Sequence, residues 1–230
     1  MFQPIGETIK FSDKFKNIKS LPDLARVFHL KELEYKFCCV PKKLVENTSI
    51  TCEAKIFWAI IHQICGLGSI KFIQKDLANI FGVSVRTIQN YTKELRDNGW
   101  LETVQSDEDN RKIEYFTKSS NIFVAILNKY LFDFSVSRQA RVLWLILQEK
   151  GSANGLSWYA YSKLGKIIGR KDDETIKKYL AELKKTGWIN VEKGKGHRTK
   201  DVYVNWPNDR PNPKQISAMR KSKASEKRKK

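Results

Sequence analysis

A chain of 230 residues, 41% of them hydrophobic, has the composition of an ordinary globular protein and room for two small domains, since cores of about 75–100 residues are each viable on surface-to-volume grounds. No apolar run reaches the ~18 residues of a membrane-spanning helix, so a membrane protein is set aside. The 43 Lys and Arg against 25 Asp and Glu leave a formal charge of +18, a surplus that concentrates polyanions around the protein and speeds encounter with them.

Met1–Phe11 mixes polar and apolar residues and does not read as a signal peptide, so a cytoplasmic location is expected. Ser20-Leu21-Pro22-Asp23 is a helix start for Leu24–Tyr35, whose Leu24, Val27, Phe28 and Leu33 could pack on the following domain or on a second subunit. Residues 1–45 are therefore read as an N-terminal arm with a helix. The four cysteines, Cys38, Cys39, Cys52 and Cys65, form no C-x-x-C, and two are adjacent; reduced thiols are the simplest account. A zinc site from Cys52, His62 and Cys65 can be drawn, but Cys65 ends an apolar helical run where packing explains it. No metal and no cofactor is expected.

From here the chain repeats itself. Ala54–Ile61 lies over Ala140–Leu147 at an offset of 86, Leu77–Gly82 over Leu164–Gly169 at 87, and Thr87–Leu95 over Thr175–Leu183 at 88. The drift needs two one-residue insertions, both in connecting segments, which absorb insertions as helices do not. In the first copy a helix over Glu53–Cys65 is capped by Thr51, and Gln74–Phe81 forms a short amphipathic helix closed by Gly82. A third helix spans Ser84–Asn98, with Ile88, Tyr91 and Leu95 as its buried stripe. Strands Trp100–Val104 and Lys112–Phe116 then make a hairpin. The second copy gives helices Gln139–Lys150 (capped by Ser137), Ala160–Ile168 and Asp172–Thr186, the last with Ile176, Tyr179 and Leu183 inward, and strands Trp188–Glu192 and Asp201–Asn205. Helix, helix, glycine turn, helix, hairpin is the order of a winged helix. The expected fold is mainly α with small β-hairpin wings (α+β), two tandem winged helix-turn-helix domains over 46–118 and 119–208. Residues 209–230, rich in Lys and Arg and poor in apolar residues, are expected to form a disordered basic tail.

At Gln74–Trp100 the chain resembles winged-helix domains of bacterial phage and plasmid proteins. The segment Phe37–Trp58, with Val40-Pro41-Lys42-Lys43-Leu44 followed by Ser49, Ala54 and Lys55, resembles the start of replication initiators and replisome organisers of phages and plasmids of low-GC Gram-positive bacteria. The resemblance covers Phe37–Phe116, with Phe123–Val204 as a second copy. It implies origin binding, with replication proteins such as a helicase or its loader as partners, and a homodimer is a further expected association.

Residues off the buried stripe of the first recognition helix are Ser84, Arg86, Thr87, Gln89, Asn90 and Lys93. Arg can be bidentate to guanine, Gln or Asn to adenine, and Ser or Thr can meet base or phosphate. The second recognition helix offers Thr175, Lys177 and Lys178, but it opens on Asp172-Asp173-Glu174, acids that suit a helix N-terminus and repel phosphate. The wings reverse this asymmetry. The first tip, Ser106-Asp107-Glu108-Asp109-Asn110, is acidic, whereas the second carries Lys193, Lys195, His197, Arg198 and Lys200 around two glycines that let a backbone approach.

Catalysis has no foothold in the sequence. There is no G-x-x-x-x-G-K-[ST], the three histidines are scattered, and the clustered carboxylates fall at a wing tip and a helix start. The expectation is a sequence-specific double-stranded DNA-binding protein, not an enzyme, foremost an origin-binding initiator. A transcriptional repressor of mobile-element genes is the alternative, and a winged-helix protein–protein docking scaffold is the third.

Overall fold

The computed structural model describes residues 37–65, 69–107, 109, 111–150, 156–157, 161–169, 172–193 and 200–204. Along them run β1 (Phe37–Pro41), α1 (Lys42–Glu46), α2 (Cys52–Cys65), β2 (Ile70–Ile73), α3 (Gln74–Phe81), α4 (Val85–Asp97), β3 (Leu101–Gln105) and β4 (Lys112–Thr117). The same order then recurs as β5 (Phe123–Leu127), α5 (Asn128–Leu131), α6 (Arg138–Lys150), β6 (Leu156–Ser157), α7 (Tyr161–Ile167), α8 (Asp173–Lys185), β7 (Ile189–Lys193) and β8 (Lys200–Val204). The protein is a mixed α+β structure with small antiparallel sheets, ordered β2-β4-β3, β6-β8-β7 and β1-β5. The arm helix expected at Leu24–Tyr35 and the basic tail lie outside the described residues.

Helix boundaries follow capping chemistry. The Thr51 hydroxyl accepts from Ala54 N at 3.3 Å to start α2, and the Ser137 hydroxyl accepts from Ala140 N at 3.2 Å to start α6. Ser84 and Asp172 hold α4 and α8 in the same way, each accepting from the amide three residues on, Thr87 and Thr175; such caps satisfy amides with no partner inside the helix. Gly82 (φ 62°) and Gly169 (φ 70°) close the short helices before them in the left-handed conformation, which costs glycine little and other residues more.

Helices α2 and α6 are buried on almost every face, from Ala54 through Ile61 and from Ala140 through Leu147. They pack against each other, and each also packs under the third helix of its own half, so a single continuous core joins both halves. The indoles inside it keep a polar handle: Trp58 Nε1 donates to the Trp100 carbonyl at 2.9 Å, and Trp144 Nε1 to the Trp188 carbonyl at 3.3 Å. Two cations are buried with them. Lys55 Nζ donates to the Val45 carbonyl at 2.8 Å and Arg141 Nη1 to the Leu131 carbonyl at 2.6 Å, each closing the end of the short helix that precedes it. Burial pushes the Lys55 ammonium below its usual pKa and the Arg141 guanidinium down to about 10.

These matched contacts express a local two-fold axis. Strand β1 pairs antiparallel with β5 so that Cys39 faces Ala125, its own counterpart at an offset of 86. Glu53 and Gln139, also counterparts, hydrogen-bond to each other. Two copies of a segment can pair antiparallel through matching residues only when a two-fold rotation relates them. Each half also ties its first helix to its third: the Glu94 carboxylate accepts from the Thr51 amide and hydroxyl, and the Glu182 carboxylate from those of Ser137.

The sequence and the structure part company at several points. The stripes of α4 and α8 are Ile88, Thr92, Leu95 and Ile176, Leu180, Leu183, while Tyr91 and Tyr179 are only half-buried. Strands β1, β2, β5 and β6 were not foreseen, and the foreseen hairpin strands begin or end one residue away from the observed ones. No helix among the described residues is long and apolar enough to cross a membrane.

Candidate nucleic-acid interface

Helix α4 presents a polar face opposite its buried stripe. Ile88, Thr92 and Leu95 point inward, and at helical spacing this turns Arg86, Gln89, Asn90 and Lys93 out, where all four are exposed; Ser84 is exposed because it caps the helix start, and Thr87 is half-buried. The short helix α3 and the left-handed turn at Gly82 set α4 across the front of its half, with Leu77, Ala78 and Phe81 packed beneath.

Not every outward side chain is equally available. Ser84 and Thr87 serve the helix start, with their hydroxyls 2.8 Å apart and Ser84 accepting from the Thr87 amide. Lys93 forms an ion pair with Asp97 at 2.9 Å one turn on, exposed and so weak. Gln89 donates from Nε2 to Gln74 Oε1 at 3.1 Å. Arg86 and Asn90 make no side-chain hydrogen bond to the described residues. The face therefore offers a guanidinium, two carboxamides and an ammonium, the donor and acceptor set that reads major-groove edges.

The matching face of α8 has different chemistry. At an offset of 88, Arg86 becomes Glu174, Gln89 becomes Lys177, Asn90 becomes Lys178 and Lys93 becomes Ala181. Lys177 and Lys178 are exposed, Thr175 is half-buried, and Lys177 is paired with Glu174, which raises the ammonium pKa. A lysine held by a carboxylate is a weaker phosphate contact than a free one.

The hairpin of the first half is described in part at its tip. There Arg111 folds back onto Asp109, donating from Nε at 3.1 Å and Nη2 at 3.3 Å, and this holds the Asp109 carboxyl below its usual range. In the second half, Lys193 and Lys200 are directly paired across β7 and β8; Lys195, His197 and Arg198 lie outside the described residues.

The cysteines and His62 are taken up by packing. His62 stacks on Trp58 at 4.6 Å between centroids, and its Nδ1 lies 2.7 Å from the Thr117 hydroxyl. The Cys65 thiol points at the Tyr115 carbonyl, and burial pushes it up to about 12. Cys52 sits at the other end of α2, about 20 Å from Cys65 at 1.5 Å per residue, so the zinc trio of the sequence is not brought together. Among the described residues no group of three or more His, Cys, Asp or Glu could hold a metal ion.

Two side chains that sequence reasoning passed over take part in this region. Gln74, at the head of α3, touches Gln89 across a gap of 15 residues, and no local pattern signals that contact. Arg138 reaches from the start of α6 into the first half, donating to the Phe81 carbonyl at 3.1 Å and to the Tyr91 hydroxyl at 3.4 Å. Comparison with known proteins finds no family model that matches the chain, and no curated protein aligns with it significantly.

Proposed function

We propose that the chain is a sequence-specific double-stranded DNA-binding protein built of two tandem winged helix-turn-helix domains, acting as an origin-binding initiator or replisome organiser of a phage, plasmid or mobile element. The observation that carries this reading is the exposed Arg86–Gln89–Asn90–Lys93 face of α4, set behind a left-handed glycine turn and opposite a fully buried stripe. The charge of +18 supports it, since a polyanion partner gains from every cation near its path. The replication role rests on the resemblance of Phe37–Trp58 to initiators. No cofactor and no catalytic step enters it.

Selection of bound duplexes from a random pool, followed by footprinting on the DNA of the element that encodes the chain, tests both parts. Enrichment of one motif, repeated within an origin, is the expected result. A single operator over a promoter would reassign the protein to transcriptional regulation. Failure to shift any duplex at low salt would overturn DNA binding and favour a docking scaffold.

A further inference from the structure

The pairing of Gln89 with Gln74 has a consequence for what the first half reads. A carboxamide has one acceptor oxygen and two N–H donors, and its value at a base edge depends on which of these faces the groove. Gln74 Oε1 accepts one Gln89 N–H at 3.1 Å, which restrains the amide and leaves Gln89 Oε1 and one N–H for another partner; when the engaged N–H is the one anti to Oε1, the two free groups lie on one edge. That pair matches the N6 amino donor and N7 acceptor of adenine. Gln74 is half-buried at the first turn of α3, with the fully buried Tyr115 phenol near it and Thr92 but in no hydrogen bond with either. The second half has no such pair. Its counterparts are Tyr161, at the 87-residue offset of the short helices, and Lys177, whose ammonium is held by Glu174 and is a point charge that reads no base edge bidentately.

We propose that Gln74 is a specificity-positioning residue: it locks the Gln89 carboxamide in the orientation that reads adenine, so the first half demands an adenine where the second does not. This rests on the DNA-binding reading above. The test compares binding by the full chain and by Gln74→Ala, Gln74→Glu and Gln89→Ala. The probes are the duplex selected by the wild type, single-base variants of it, and copies carrying 7-deazaadenine at each adenine.

The wild type should prefer adenine at one position by about tenfold or more, the value of one bidentate contact, and should lose that preference when N7 of that adenine is removed. Gln74→Ala and Gln89→Ala should both abolish it, leaving preferences elsewhere and the salt slope unchanged. Gln74→Glu should restore it, because a carboxylate oxygen still accepts the Gln89 N–H. Circular dichroism melts within a few degrees of the wild type should accompany all three variants. If Gln89→Ala removes an adenine preference that Gln74→Ala keeps, the positioning role is wrong and DNA reading stands. If Gln89→Ala changes no position, Gln89 is not a reader and the proposal fails. A wild type that enriches no sequence at all overturns the DNA reading, and this inference with it.

Discussion

Replacing Arg138 with cysteine would give the second half the residue that the first half carries at the equivalent position, Cys52. The two sites face each other's halves across the local two-fold. Arg138 Nη2 donates to the Phe81 carbonyl at 3.1 Å, while Cys52, too short to fill the same space, points its thiol at the Ile168 carbonyl from 3.9 Å. A cleft of about 220 Å³ lies beside Cys52, lined by Glu53, Glu94, Ile168 and Gly169 among others. A hydrogen bond from a charged donor contributes about 1.5–3 kcal/mol. The second contact, to the Tyr91 hydroxyl at 3.4 Å, is at the outer limit of hydrogen-bond geometry and adds little. The Phe81 carbonyl sits next to exposed Gly82, so water can replace the lost donor, which places Arg138→Cys near the lower end, about 1.5 kcal/mol. Equilibrium urea unfolding reads this as a lowered midpoint at unchanged slope, because one core spans both halves and they should unfold together. The reciprocal Cys52→Arg has a cleft and a carbonyl waiting for it and should be neutral or stabilising. A midpoint for Arg138→Cys indistinguishable from the wild type, or a Cys52→Arg variant more damaging than Arg138→Cys, would refute the view that this bridge links the halves.

Burial holds the Lys55 ammonium below its ordinary pKa, so between the folded and unfolded values the unfolded chain binds more protons and stability should rise with pH; Lys55→Met, compared with the wild type in urea melts across that alkaline window, should flatten the rise. Gly82→Ala should cost about 1–2 kcal/mol of stability by thermal or urea melts, since φ is 62° and a Cβ there would meet nothing within 4 Å, leaving backbone strain as the whole cost; equal stability would mean the turn adapts freely. Alanine at Arg86 or Asn90 should cost about 1–3 kcal/mol at one base position of the selected duplex, read as relaxed preference in competition binding. Lys195→Ala and Arg198→Ala should instead weaken all duplexes alike and reduce the slope of log affinity against log salt by about one unit each, and an unchanged slope would separate the second hairpin from DNA.

Much of the fold was legible because duplication doubles every signal. Caps at Thr51, Ser137 and Asp172 and glycine stops at 82 and 169 are local chemistry, and each is where the sequence put it, whereas Ser84, read as an outward helix residue, is itself a cap. What escaped depends on distant partners. Strands β1 and β5 are five residues each, too short for periodicity to separate strand from helix, and they are strands because they pair with each other. Tyr91 and Thr92 both fit helical spacing from Ile88. Aromatic bulk favoured Tyr91, but its ring lies half-buried beside Phe57 with the hydroxyl toward Arg138, and the smaller Thr92 takes the buried position. On the candidate site, the outward residues of α4 follow from its stripe alone. Their unequal availability does not, since the contact between Gln74 and Gln89 joins separate helices.

The pattern of likeness and difference between the halves bears on what the scaffold is for. Contacts that hold each half together recur in kind: a buried cation closes a short helix at Lys55 and Arg141, an indole meets a carbonyl at Trp58 and Trp144, and a carboxylate ties first helix to third at Glu94 and Glu182. Four exposed positions of the outward faces diverge, with Arg86, Gln89, Asn90 and Lys93 set against Glu174, Lys177, Lys178 and Ala181. Under the DNA-binding proposal, a two-fold frame with unlike faces fits a target whose two contact regions are related in position and different in sequence. Base reading then falls mainly to α4, and backbone grip to the half that carries Lys193 and Lys200.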